Sequence, residues 1–188
     1  MITLRCTEKL LKRLQQPKPL EPAPCTNPLG EWYGAIDSYD REPFLLMLNA
    51  LTGITLILPA RANQLKKINF YAAVQLATLF GHYGIQSPLA EAELLAWQQP
   101  IQFGKTRSPS LLTSMNRLRD DTWDDFEHHD SSYNESAAKQ WLGLFKKPSE
   151  KKATAWTQPI ENLYACLGIK TPHRPDHQSE RLFSTTVH

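Results

Sequence analysis

Apolar and polar positions alternate at the start of the chain. Ile2, Leu4 and Cys6 are separated by Thr3 and Arg5, the period of a half-buried strand. From Thr7, a residue suited to capping, the period lengthens: Leu10, Leu11 and Leu14 share one helical face, and Lys9, Lys12 and Arg13 lie on others. A short helix over 8–14 follows. Pro17, Pro19, Pro22, Pro24 and Pro28 then exclude regular structure, since each lacks a backbone donor. Three strands are expected next, over 30–38, 44–48 and 54–58, the second a continuous apolar run of the kind covered on both faces. Their short connections favour antiparallel pairing, because a parallel pair needs a crossover of about a dozen residues or more.

Helical periodicity dominates the rest. A helix over 64–83 is capped by Asn63 and ended by Gly84, and a second, over 88–97, starts at the Ser87-Pro88 pair. After a short strand at 101–103, Ser108 and Pro109 open the longest amphipathic stretch. There Leu111, Leu112, Met115, Leu118, Thr122 and Phe126 form one apolar stripe down to Glu127. A polar loop is expected over 128–136, then helices over 137–145 and 159–167 joined by a charged link at 148–154, and a disordered tail over 169–188. The pattern predicts an α+β fold: an antiparallel sheet of four or five strands packed by helices on one side, in a single domain over 1–168 with a helical extension at 137–168.

Composition adds little to that picture and charge rather more. A chain of 188 residues, 41% apolar and 21% charged, suits one globular domain. Its formal charge of +2 argues neither for nor against a polyanionic partner, but the charge is segregated. Residues 1–20 carry +4, residues 120–130 carry −6 and residues 139–152 carry +4. Such blocks are solvated faces or docking surfaces. Cys6, Cys25 and Cys166 are odd in number and lack metal-type spacing, which fits reduced thiols in the cytoplasm. The first residues lack the apolar core of a signal peptide, and Asn49, Thr52 and Gly53 interrupt the most apolar window, 43–60. No membrane association is expected.

The densest polar chemistry lies where the strand at 101–103 hands over to the long helix. A helix start carries free N–H groups and a partial positive charge, and Lys105 and Arg107 stand just outside it. Lys105, Thr106, Arg107, Ser108, Ser114 and Asn116 therefore form the candidate binding set. Arg107 could grip a carboxylate or phosphate bidentately, or tie the joint to an acidic residue of the sheet. The triplet Gly104-Lys105-Thr106 lacks the earlier glycine of a phosphate-binding loop, its place being taken by Gln99, so no nucleotide cofactor is expected. Asp121, Asp124, Asp125 and His128 could share a helical face and hold a divalent metal, with an exposed acidic surface as the alternative. Asp37, Asp40 and Glu42, with Arg41, could supply general acid–base groups, with decoration of a turn as the expected alternative, and no nucleophilic triad can be assigned from residue order.

Several short motifs taken together carry a family resemblance: Thr7-Glu8-Lys9-Leu10-Leu11, Leu29-Gly30-Glu31-Trp32-Tyr33, the stretch 49–58, Thr106-Arg107-Ser108 and Ser114-Met115-Asn116. In this order they resemble a small uncharacterised bacterial domain associated with mobile-element and plasmid proteins, over roughly residues 1–126. That resemblance implies a bacterial cytoplasmic setting and no particular activity.

Three functions remain open. The first is a non-catalytic module that binds a macromolecular partner, a protein above all, in a mobile-element or phage-conflict setting. Its support is the segregated charge. The second is nucleic-acid binding through phosphate contacts from Lys9, Lys12, Arg13, Lys105 and Arg107. The third is a metal-dependent hydrolase on the acidic helix. Neither the partner nor the oligomeric state can be read from the pattern.

Overall fold

The fold is described from a computed structural model, which covers residues 1–16, 19–145 and 157–170. The expected basic cluster at Lys146, Lys147, Lys151 and Lys152, the link at 148–154 and the tail beyond Lys170 lie outside the described residues.

In chain order, β1 (Thr3–Cys6) leads into α1 (Glu8–Arg13), and the proline-rich segment leads to β2 (Trp32–Tyr39), β3 (Glu42–Asn49) and β4 (Thr55–Pro59). Helices α2 (Ala62–Leu65), α3 (Ile68–His82) and α4 (Pro88–Ala96) precede β5 (Gln102–Lys105). The long α5 (Pro109–His129) is followed by α6 (Tyr133–Trp141) and α7 (Pro159–Cys166). Among the described residues no helix is long and apolar enough to cross a membrane, and the apolar window at 43–60 is the β3–β4 hairpin.

The five strands make one sheet in the order β4-β3-β2-β1-β5. The expected antiparallel meander is present as β2-β3-β4, but β1 runs parallel to both β2 and β5, so the sheet is mixed. The reason is the length of the connections: α1 and the proline-rich segment separate β1 from β2, and three helices separate β4 from β5. Both are long enough for a parallel crossover.

Helices also cover both faces, where one was expected. Trp32 and Gly34 share a face, and there Trp32 Nε1 meets Glu93 of α4 at 3.4 Å and Leu10 of α1 packs over Gly34. A methyl group at Gly34 would sit 2.9 Å from Leu10 Cδ2, so α1 lies this close only because the position is glycine. On the other face Phe126 of α5 packs edge-on against Phe44 and tilted against Tyr39. Doubly covered β3 is accordingly buried from Phe44 to Asn49.

Two helices depart from expectation. The stretch 64–83 breaks at Lys66 and Lys67 into α2 and α3, and Arg61, whose N–H donates to Gln64 Oε1 at 2.8 Å, precedes α2 in place of Asn63. Helix α6 starts inside the expected polar loop because Ser132 and Glu135 form a reciprocal capping box. It stops at Trp141, and Phe145 pairs with Thr157 as an isolated bridge.

Candidate functional site

The handover from β5 to α5 folds as its sequence dictates. Ser108 Oγ accepts from Leu111 N at 3.4 Å, Pro109 takes the first helical position, and Leu111, Met115 and Leu118 bury the inner stripe. Ser114 turns its hydroxyl onto the Ser110 carbonyl, and Asn116 is exposed on the outer side.

Beside this joint lies a four-membered charge network. Arg5 belongs to the polar phase of β1, yet its side chain is only 3% exposed. Its Nη2 donates to Glu31 at 2.9 Å and to Glu21 of the proline-rich segment at 2.6 Å, and its Nε donates to Glu31 at 3.2 Å. Arg107 completes the set: its Nη2 donates to the same Glu31 oxygen at 2.9 Å, and its Nη1 stands 3.7 Å from Glu21. Two guanidinium groups thus face two carboxylates. The hydrogen bond from Arg5 holds the Glu21 carboxyl below its usual range and that to Glu21 raises the Arg5 pKa, whereas burial pushes the Tyr33 phenol up. Arg107, 61% exposed, is therefore tied to the sheet while its outer surface meets solvent.

Lys105 is exposed but separate from this network. In the parallel register it pairs with Cys6, whereas Arg5 pairs with Gly104, so strand alternation sends Lys105 to the opposite face. The binding set is divided: Arg107 joins the charge network, Thr106 and Ser108 belong to the turn, and Lys105 points to the far side. Sequence reasoning singled out Arg107 but not Arg5, Glu21 or Glu31. The available signal was an arginine in a strand whose neighbours are apolar, which requires a carboxylate nearby.

Two of the three basic residues of α1 are also matched. Lys12 pairs with Glu8 at 3.2 Å, Lys9 stands 3.8 Å from Asp37, and Arg13 is exposed. The acidic helix brings Asp121, Asp124 and Asp125 to one cleft, where Arg117 and Lys139 stand among them. The cleft measures about 430 Å³; Asp125 accepts from Ser136 Oγ at 2.7 Å and from Lys139 Nζ at 2.8 Å, and Asp124 faces His128 at 3.7 Å. Burial raises the Asp121 pKa, and Arg117 opposes the rise. Among the described residues no group of three histidine, cysteine or carboxylate side chains is placed to hold a metal ion.

The interior holds one carboxylate that sequence reasoning passed over. Glu93 is fully buried, and accepts from Asn27 Nδ2 at 2.9 Å, Leu29 N at 3.0 Å and Trp32 Nε1 at 3.4 Å. It pins the segment before β2 onto α4. Burial raises its pKa, with these donors acting the other way.

No curated protein matches the chain. A family model does, covering residues 3–162, which embraces the whole sheet, α1 to α6 and the charge network. The chain belongs to the domain family of unknown function DUF6933.

Proposed function

We propose that the protein is a non-catalytic binding module whose partner is another protein, docking where β5 hands over to α5. The observation that carries this reading is the Arg5–Glu31–Arg107–Glu21 network. It presents both signs of charge at the surface, with Arg107 61% and Glu21 69% exposed. Alternating donors and acceptors suit a protein surface, which offers both in return. A phosphate backbone offers acceptors alone, and three of the cations that would meet it, Lys9, Lys12 and Arg107, already face carboxylates. The setting that fits is the bacterial cytoplasm, in mobile-element or phage-conflict proteins; the three cysteines, none of them in a disulfide, are consistent with a reducing compartment.

Affinity capture from the native host, with wild type and Arg107→Glu in parallel, tests the reading. One discrete protein, retained after nuclease treatment and lost from the variant, is the expected outcome. Retention of nucleic acid, with binding that falls steeply as salt rises, would overturn it in favour of the phosphate-contact reading. Thermal melts of both proteins exclude unfolding as the cause of a loss.

A further inference from the structure

We propose that two copies of the chain associate through α3, packed antiparallel across a two-fold axis. From Ile68 to Gly81 this helix carries no charged residue. Its inner side is Ala72, Leu76, Leu79 and Phe80, all buried. On its outer side Phe70 is 59% and Val74 48% exposed, and Ala77 and Gly81 are exposed as well. These four positions are spaced by four, three and four residues, so they form one stripe along the helix. An uncharged helix of this kind is normally enclosed, and this one is open along that stripe, with Thr78 the exposed polar residue beside it.

The order of sizes along the stripe selects the occupant. Two bulky residues come first and two small ones last. When a second α3 is laid antiparallel with the axis between Val74 and Ala77, Phe70 of each copy faces Gly81 of the other, and Val74 faces Ala77. Each bulky side chain meets a small one, which is the self-complementarity a two-fold interface requires. At Gly81 an added methyl group would touch nothing within 4 Å, so the space for the opposing phenyl ring is open.

Charge agrees with this direction. Lys66 and Lys67 are exposed immediately before α3, and the antiparallel arrangement brings them beside the carboxyl end of the opposing helix, where the dipole is negative. Burial lowers the pKa of His82, so the last turn adds no positive charge there at neutral pH. A parallel arrangement would instead bring the two lysine pairs together. The apolar surface continues from Val74 into a groove of about 280 Å³ lined by Tyr71, Tyr133 and Pro59. A single helix pair buries less than the roughly 1,600 Å² of a standard interface, so the dimer is weak and its population depends on concentration.

Sedimentation velocity of the full chain over a wide concentration range tests the proposal with Val74→Glu, Ala77→Lys and their mixture. Wild type is expected to shift from monomer to dimer. Each variant alone should dimerise about tenfold more weakly or worse, with circular dichroism and Tm unchanged because both positions are exposed. Mixing the two should restore wild-type affinity, since the carboxylate introduced in one copy then faces the ammonium group introduced in the other. Gly81→Phe, which fills the hole without adding charge, provides an independent variant and should also weaken the dimer. A wild-type monomer at every concentration overturns the proposal, whether α3 is then bare or covered by another chain. So does a dimer that none of the three variants weakens, or a mixture that dimerises no better than its components.

Discussion

Glu93 shows what one buried carboxylate does when every partner is neutral. Its donors are Asn27, the Leu29 amide and Trp32, and truncation to Ala would leave the Leu29 amide and Trp32 Nε1 without an acceptor and Asn27 Nδ2 with the Gly30 carbonyl alone. Glu93→Ala is expected to cost about 3 kcal/mol or more by denaturant unfolding, at roughly 1–3 kcal/mol for each orphaned donor. The pH dependence has a definite sign. Burial raises the folded-state pKa above the unfolded one, so the contribution of Glu93 is complete below the ordinary carboxylate pKa and declines as pH rises through the folded value. Glu93→Gln cannot ionise. It should therefore gain on wild type as pH is raised from acid to neutral, a trend read from paired thermal melts. Glu31 is the converse case, a carboxylate that accepts from two guanidinium groups, one of them buried. Glu31→Ala should cost about 3 kcal/mol, because Arg5 is then left with only the exposed Glu21. Gly53 is a third control point: φ is +81°, and a methyl group there would lie 2.3 Å from the Phe145 ring. Gly53→Ala should lower stability by about 2 kcal/mol or more, through strain and displacement of Phe145.

Elements were legible in proportion to how local their causes are. The Ser87-Pro88 and Ser108-Pro109 starts can be read directly, because capping involves only neighbours within one turn. The β2-β3-β4 meander is legible for the same reason, its connections being short. The placement of β1 is not, since nothing within 3–6 indicates that both of its neighbours arrive through long crossovers. Nor could the charge network be assembled in advance, because its members lie at positions 5, 21, 31 and 107 and only the sheet register brings them together. The edge of β4 is a further non-local device. Gln75 of α3 donates to the Ile57 carbonyl at 2.9 Å and accepts from the Ile57 amide at 2.7 Å, so its side-chain amide takes the place of a neighbouring strand. Trp141 Nε1 donates to the Thr55 carbonyl at 2.8 Å on the same strand. Gln75→Leu, similar in volume, would orphan both Ile57 groups and should cost about 2–3 kcal/mol, measurable as a loss of urea midpoint with unchanged slope.

On the scale of the molecule, the two proposed surfaces lie at opposite ends of the sheet. Helix α3 packs against β4, at one end of the strand order, and the charge network lies beside β1 and β5, at the other. A pair joined through α3 therefore carries two docking corners facing outward. Such a bivalent molecule should leave a densely coated partner surface more slowly than Val74→Glu, and at equal rates when the coating is sparse. Surface plasmon resonance at two coating densities makes that comparison. The amide of Gln75 has a consequence at this scale too. Ribbon-like polymers grow when one molecule's last strand recruits the next molecule's first, and each junction consumes both kinds of edge. Here one of the two is already occupied from within at Ile57, so strand pairing alone cannot propagate from molecule to molecule through β4. Concentrated solutions should then lack continuous ribbons of hydrogen-bonded strands.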